Sequence, residues 1–416
     1  MRPDLKRDYQ SRSGFLRWPL LLTLVLAVLA VSGCKTLSFY GQAIKGQCEL
    51  FSHSEKVEQL VKDPNTPAPL RERFEVVNRL RAFAEDKLQL PVDGHYTKYA
   101  DVHRPFVVWN VEAAGEFSMQ PKTWWYPLVG SLEYRGYFAK PGAEDYGNWL
   151  QKRGYDVWVR GATAYSTLGW FKDPLLNTFI YQADPDLAET LFHELGHQRV
   201  FARGDTDFNE AFATTVGEEG ARRWLKAKGN TTELTQYETD LRRNRQFVAL
   251  VMKARGKLET LYGDQRDEDG KVTASKETSR LGQEHLRAEK ARIIEELRRD
   301  FDNLKASWGG KTDYDGWFAR QINNAQLNSV AAYYDLVPGF EKLLALAGGD
   351  LERFYSEADR LAHKSKKERQ SWLRTLGQAH ANEAGGPEPL PRVPNQAQLP
   401  KRPFGPASPR DSFVWR

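Results

Sequence analysis

Cysteine is nearly absent: Cys34 and Cys48 are the two among 416 residues, so no disulfide framework holds this chain together. An excess of one charge is absent as well. Sixty Lys or Arg stand against 55 Asp or Glu, and no basic patch argues for a nucleic-acid partner. Long apolar runs are missing except for one at the N-terminus, and a mean hydropathy of −0.63 excludes a multi-span membrane protein. What remains is globular: 40% hydrophobic and 28% charged residues exclude a disordered or collagen-like chain. The length allows two or three domains, or one large domain with appendages.

The single apolar run, Trp18 to Gly33, follows Arg2, Lys6, Arg7, Arg12 and Arg17. It has the n-region and h-region of a secretory signal and is short for a bilayer span, which needs about 20 residues. The run ends Val31-Ser32-Gly33-Cys34, which resembles a bacterial lipobox. In that reading Cys34 is lipidated and becomes the mature first residue; ordinary cleavage or a retained anchor are the alternatives. Without residues 1–33, 55 basic and 53 acidic residues remain. Lys35 after the Cys resembles the default for outer-membrane sorting, so the expected location is the cell envelope, on the periplasmic face of the outer membrane. A Cys34–Cys48 bridge is compatible only with an unacylated Cys34.

Beyond the signal the chain reads as α+β and predominantly helical. Residues 34–95 form an N-terminal helical segment, with Phe74, Val77, Leu80 and Ala84 at helical spacing. Residues 96–231 hold a small sheet and a pair of helices. Val107–Val111, Trp124–Gly130, Tyr134–Phe138 and Asp156–Arg160 have the β-branched and aromatic content of strands, and Gly147–Arg153 between them reads as helix. Residues 232–310 are a long charged helical hairpin with apolar faces Phe247, Val251, Leu258 and Ile294, Leu297, Phe301, Leu304. Residues 311–384 are again helical. The tail 385–416 carries 8 of the 21 prolines and is expected to be extended or disordered.

The chemistry concentrates at His193-Glu194-Leu195-Gly196-His197. Two His at i and i+4 share a helical face, so both imidazoles can reach one ion, and Glu194 beside the first can take a proton from water there. Zinc at a catalytic site takes three protein ligands and keeps a fourth position open. Asp184 reads as N-cap and Pro185 as N1 of the helix, and Gly204 stops it. If a tight turn at Gly204 joins two antiparallel helices, the chain runs about 9–10 Å down and about 9 Å back, bringing Glu210 level with His197. Glu210 is the expected third ligand. Its competing role is N3 of an Asp207-x-x-Glu210 capping box; Glu218 and Glu219 are fallback ligands. The other histidines, such as His95, show no ligand spacing.

His193-Glu194-Leu195-Gly196-His197-Gln198 resembles the HELAHQ of M1-type zinc aminopeptidases, and Asn209-Glu210-Ala211-Phe212-Ala213-Thr214 resembles their NEGFAT. The resemblance implies zinc on His193, His197 and Glu210, with Glu194 as general base, in a zincin-like core. Twelve residues separate His197 from Glu210 here, fewer than in that family, and there is no convincing GAMEN-like segment. Over nearly the whole mature chain the sequence resembles a family of proteobacterial lipoproteins described as predicted aminopeptidases. That likeness is carried by Tyr40-Gly41-Gln42-Ala43, Tyr134–Phe138, Ala164–Phe171, Asp173-Pro174 and the metal motif.

Zinc peptidases of this class commonly bind peptide along a strand before the active helix. Tyr165 to Phe171 lies in that place, so Tyr165, Leu168 and Trp170 are candidate substrate contacts. Tyr333, Tyr334 or Tyr165 could donate to the developing oxyanion. An aminopeptidase also needs an acid for the free amine, and Glu133, Glu218 and Glu219 are candidates. The expected function is zinc-dependent peptide-bond hydrolysis on a peptide or protein substrate by a lipid-anchored membrane protein. A zinc endopeptidase acting on envelope proteins and a non-catalytic metal-binding lipoprotein are the alternatives.

Overall fold

The structure, a computed structural model, describes residues 34–127, 129–164, 172–266, 272–274, 282–310 and 312–383. The run Trp18–Gly33, the segment holding Tyr165, Leu168 and Trp170, and the proline-rich tail lie outside them. Residues from Leu50 onward form one compact unit, and Cys34–Glu49 belong to another. Helix α1 (Cys34–Ser52) opens on Cys34 and carries Cys48, an exposed free thiol. Among the described residues no helix is long and apolar enough to cross a membrane.

The larger unit is predominantly helical with small sheets. Strand β1 (Glu55–Lys56) and α2 (Val57–Lys62) precede the Asp63–Pro67 break, after which α3 (Ala68–Leu88) runs to Gln89, a left-handed residue. Its buried face includes Phe74, Val77, Leu80 and Ala84, as the spacing predicts. Next come β2 (Lys98–Ala100), β3 (Val108–Gly115), β4 (Trp124–Tyr126), β5 (Gly130–Leu132), β6 (Tyr134–Tyr137), α4 (Lys140–Gln151), β7 (Tyr155–Ala162) and β8 (Leu175–Leu176). The main sheet is antiparallel in the order β6-β3-β7, with Glu112 opposite Tyr134 on one side and Trp158 on the other. A β1-β2-β8 sheet and a β4-β5 pair are smaller, and β1, β2 and β8 are too short to stand out in the sequence.

Two long helices, α5 (Asp184–Arg199) and α6 (Thr206–Lys228), follow. The charged hairpin is α7 (Thr231–Tyr262) and α8 (Gln283–Ser307), with the pair β9 (Asp264–Arg266) and β10 (Val272–Ala274) between them. The described residues close with α9 (Asp315–Phe318), α10 (Asn324–Tyr334), α11 (Val337–Leu346), α12 (Leu351–Ala362) and α13 (Lys366–Glu383).

Among the described residues two apolar cores result. One gathers Leu80, Phe192, Leu195, Phe208, Phe212, Phe340 and Phe354 around α5 and α6. The other gathers Phe247, Val251, Leu258, Leu297, Phe301, Trp317 and Val330. The apolar stripe of the charged hairpin builds the second core. In α8 Leu286, Ile293, Leu297 and Phe301 are buried, while Ile294 and Leu304 are partly buried. Helix α10 ties that core to the sheet. Asn324 Nδ2 donates to the Gly115 carbonyl at 2.9 Å, Asn324 N–H donates to Asp156 Oδ2 at 2.8 Å, and Asn323 Nδ2 donates to the Val157 carbonyl at 2.9 Å. These bonds fix the angle at which α10 presents Tyr333.

Candidate metal centre

Helix α5 is buried from Leu187 to His197 except at Glu189. Asp184 and Asp186 occupy its first turn and His197 and Arg199 its last, the charge order that suits a helix dipole. The helix begins one residue earlier than expected: Ala183 is the N-cap and Asp184 lies in the first turn, paired with Arg73 of α3 at 2.6 Å. That guanidinium also donates to the Ile180 and Gln182 carbonyls, so it anchors the helix start from outside.

Helix α5 ends at Arg199 on the extended Val200, not at Gly204 as the sequence predicts, and residues 200–205 make the turn into α6. Gly204 has φ +75°, a conformation that disfavours any side chain. Asn209 holds the turn shut, accepting from Ala202 N–H at 2.7 Å and donating to the Ala202 carbonyl at 2.9 Å. The N-cap of α6 is Asp205, not Asp207, and its side chain accepts from Phe208 N–H. Glu210 is thereby released from any capping role. Asp205 is chosen because α13 reaches it: Arg369 Nε lies 2.6 Å from Oδ2 and Gln370 Nε2 donates to Oδ1 at 2.7 Å. The two helices approach closely at Gly217, where an added Cβ would stand 2.9 Å from the Glu189 carbonyl oxygen and 3.1 Å from His193 Cβ.

This packing brings His193, His197 and Glu210 together, with one ligand atom from each within 4.8 Å of the others. Glu210 Oε2 lies 3.4 Å from His193 Nε2 and 3.6 Å from His197 Nε2. Those distances exceed an ordinary N–H···O hydrogen bond, but atoms bound at about 2.0–2.1 Å to one tetrahedral ion are separated by about 3.4 Å. The imidazole rings stand nearly perpendicular, at 86°, with centroids 4.8 Å apart. Relative exposures of 3% for His193 and Glu194, 8% for His197 and 7% for Glu210 put all four away from bulk water. Two imidazoles and one carboxylate fit a divalent ion of the transition-metal type. Burial alone would raise the Glu210 carboxyl, but the two imidazoles, His197 foremost, hold it down at about 2. Burial would likewise lower His197, and Glu210 with Glu194 raises it. The donor set is thus poised around negative charge on Glu210.

Residues 38–373 match the family described as "Putative aminopeptidase". The chain belongs to that aminopeptidase family. No curated protein and no solved structure matches it. The match spans the helix pair, the main sheet and both cores, so the triad lies well inside the region that defines the family.

Of the two late tyrosines, only Tyr333 reaches the triad of this aminopeptidase-family protein. Its ring stacks against His193 with centroids 6.3 Å apart, and its hydroxyl accepts from Arg160 Nη2 at 3.4 Å. Burial and the Glu210 charge push the Tyr333 hydroxyl up, so it stays protonated. Tyr334 projects elsewhere, toward Asn244 and the charges of Glu218 and Glu189. One residue along a helix is a rotation of about 100°, which is why the neighbour misses the site. Tyr165, Leu168 and Trp170 lie outside the described residues.

A pocket beside the triad is lined by Glu112, Glu133, Tyr134, Arg160, Thr206 and Tyr333, among others. Arg160 Nε donates to Glu112 Oε1 at 2.8 Å, joining β7 to β3. Burial raises the Glu112 carboxyl despite Arg160, and the Glu210 charge adds to that. Burial and the Glu210 charge raise Tyr134 as well. Strand alternation hides Glu112, Tyr134 and Arg160 as pocket residues in the sequence. The available signal was two charged residues, Glu112 and Arg160, inside otherwise apolar strands.

Glu133 also lines the pocket, with Lys366 Nζ 3.5 Å away, and burial and Asp207 push its carboxyl up to about 8. Glu219 is held by Arg222 and by Arg223 at 2.8 Å, and Glu218 by Arg245 at 3.4 Å. His95 is buried, with its Nδ1 3.1 Å from Asp173 N–H and 3.2 Å from Gln198 Nε2, the residue after His197.

Proposed function

We propose that this protein is a zinc-dependent aminopeptidase held in a bacterial envelope by a lipid on Cys34. The observation that carries the peptidase reading is the buried His193–His197–Glu210 triad with Glu194 beside it, in a chain of the aminopeptidase family. The lipobox-like Val31–Cys34 supports the anchor. Zinc bound by the triad supplies Lewis-acid polarisation of a substrate carbonyl and acidifies water. Glu194 accepts a proton from the attacking water and returns it to the leaving amine. Tyr333 donates its hydroxyl proton in a hydrogen bond to the carbonyl oxygen as negative charge grows there. Arg160, donating to the Tyr333 oxygen, orients that hydroxyl. Burial of the triad keeps bulk water from competing for these bonds.

The test is turnover of matched peptides with free or acetylated N-termini by the zinc-loaded protein, beside Glu194→Gln. Cleavage of the free-amine peptide, lowered about 10²–10⁴-fold in Glu194→Gln, is the expected result. Equal cleavage of both peptides makes the protein an endopeptidase. Stoichiometric zinc without turnover of either makes the metal structural.

A further inference from the structure

An aminopeptidase must hold a free α-ammonium group close to the scissile carbonyl, because only the Cα atom separates them. A carboxylate with an uncommitted oxygen, facing the same space as the oxyanion donor, meets that need. Four glutamates offer themselves near α6 and the sheet. Glu219 is clamped by two guanidinium groups, Glu218 is turned to Arg245, and Glu133 faces Lys366. Glu112 differs. Its Oε1 is fixed by Arg160, while its Oε2 is buried and accepts no hydrogen bond among the described residues. A buried acceptor left unsatisfied costs free energy, and a ligand that donates to it recovers that cost. Glu112 is only 8% exposed, lines the pocket shared with Tyr333, and lies near enough to Glu210 to feel its charge.

We propose that Glu112 Oε2 receives the free α-ammonium group of the substrate's first residue, making Glu112 the residue that selects an unblocked N-terminus. This rests on the peptidase reading above. Arg160 then serves two ends of one substrate residue: its Nε holds the amine acceptor and its Nη2 holds the oxyanion donor Tyr333. The distance between amine and carbonyl is written into one planar guanidinium. An acetylated N-terminus loses on two counts: it carries no charge for the buried carboxylate, and its added atoms enter the space the ammonium fills.

Binding to zinc-loaded Glu194→Gln protein tests this without turnover. The probes are a free-amine tripeptide and its N-acetyl twin, titrated by calorimetry. The free-amine form should bind more tightly. Adding Glu112→Gln should weaken it roughly 30- to 300-fold, the loss of one buried charged hydrogen bond, and change the acetylated form less than about 3-fold. Equal weakening of both, no change in either, or no binding of the free-amine tripeptide to Glu194→Gln protein overturns the assignment. Circular dichroism and Tm report whether Glu112→Gln folds. If it does not, Glu112→Asp keeps the charge but withdraws it by one methylene and should cost the free-amine form alone about 10-fold; equal loss for both peptides again overturns it. Glu112-dependent binding in a wild-type protein that cleaves nothing leaves the amine site standing and sinks the peptidase reading. Wild-type turnover with unaltered preference in Glu112→Gln does the reverse.

Discussion

Helices α5–α6 and α7–α8 are both antiparallel pairs, yet they are built for different work. In the first pair nearly every side of α5 and most of α6 is buried, and polar residues sit inside. In the second, over 32 and 25 residues, only a stripe is buried. Charges cross its outer face, such as Lys253 to Asp300 at 2.8 Å, and α8 grips the sheet end through Arg287–Glu116 at 2.6 Å and Lys290–Asp156 at 2.6 Å. The lesson is a division of labour. A helix buried all round can hold imidazoles and carboxylates in a dry setting. A helix with one apolar stripe builds the second core, against which α10 presents Tyr333 to the triad.

The sharpest break between the two pairs is chemical. Glu210→Ala should abolish stoichiometric metal binding, read by elemental analysis, and take peptide turnover to background. Lys253→Ala should leave both at wild-type level. Metal should also raise Tm in the wild type and not in Glu210→Ala, since a ligand that binds the folded chain in preference to the unfolded one stabilises it.

Glycine draws the next line. Gly217 of α6 has no room for a side chain, whereas a Cβ at Gly256 of α7 would meet nothing within 4 Å. Gly217→Ala should destabilise by about 1–3 kcal/mol through overpacking against α5 and displace His193. Gly256→Ala should stabilise by up to about 1 kcal/mol through helix propensity. Urea titration measures both, and destabilisation at both positions would break the comparison.

The junction of the pairs answers to pH. Burial, with Glu189 and Glu341 nearby, pushes the Glu218 carboxyl up to about 8 against the pull of Arg245. A carboxyl raised on folding stabilises the native state fully below its unfolded value of 4.5, and that contribution is lost as pH climbs toward about 8. Glu218→Gln should flatten this slope, so its stability relative to wild type rises between pH 5 and pH 8; a gap that shrinks or stays constant refutes it.

The smallest effect belongs to the outer ion pairs. Lys253 is 53% exposed, and Lys253→Ala should cost under about 1 kcal/mol. Phe247→Ala, which empties the stripe beneath it, should cost about 3–5 kcal/mol.

Much of the candidate site could be read from the sequence because it obeys local rules. A period of 3.6 puts His193 and His197 on one face, and an antiparallel second helix brings Glu210 opposite, although the first helix stops at Arg199 and not at Gly204. The strands around Val111, Tyr134 and Val157 follow from their β-branched and aromatic content. Glu112 and Arg160 stayed hidden because their pairing depends on a register joining residues 48 apart. The choice of Tyr333 over Tyr334 depends on which side of α10 faces α5. The choice of Asp205 over Asp207 as cap depends on Arg369 and Gln370, more than 160 residues downstream.

That last dependence bears on the order in which the elements can pack. Asp205 has no exposure at all, and its charge is answered by α13. Until residue 370 has emerged, the carboxylate at the head of α6 has no cation beside it, and closing α6 against α5 would bury it alone. Closure of α6 against α5, and with it the meeting of His193, His197 and Glu210, is therefore expected only after α13 has been made.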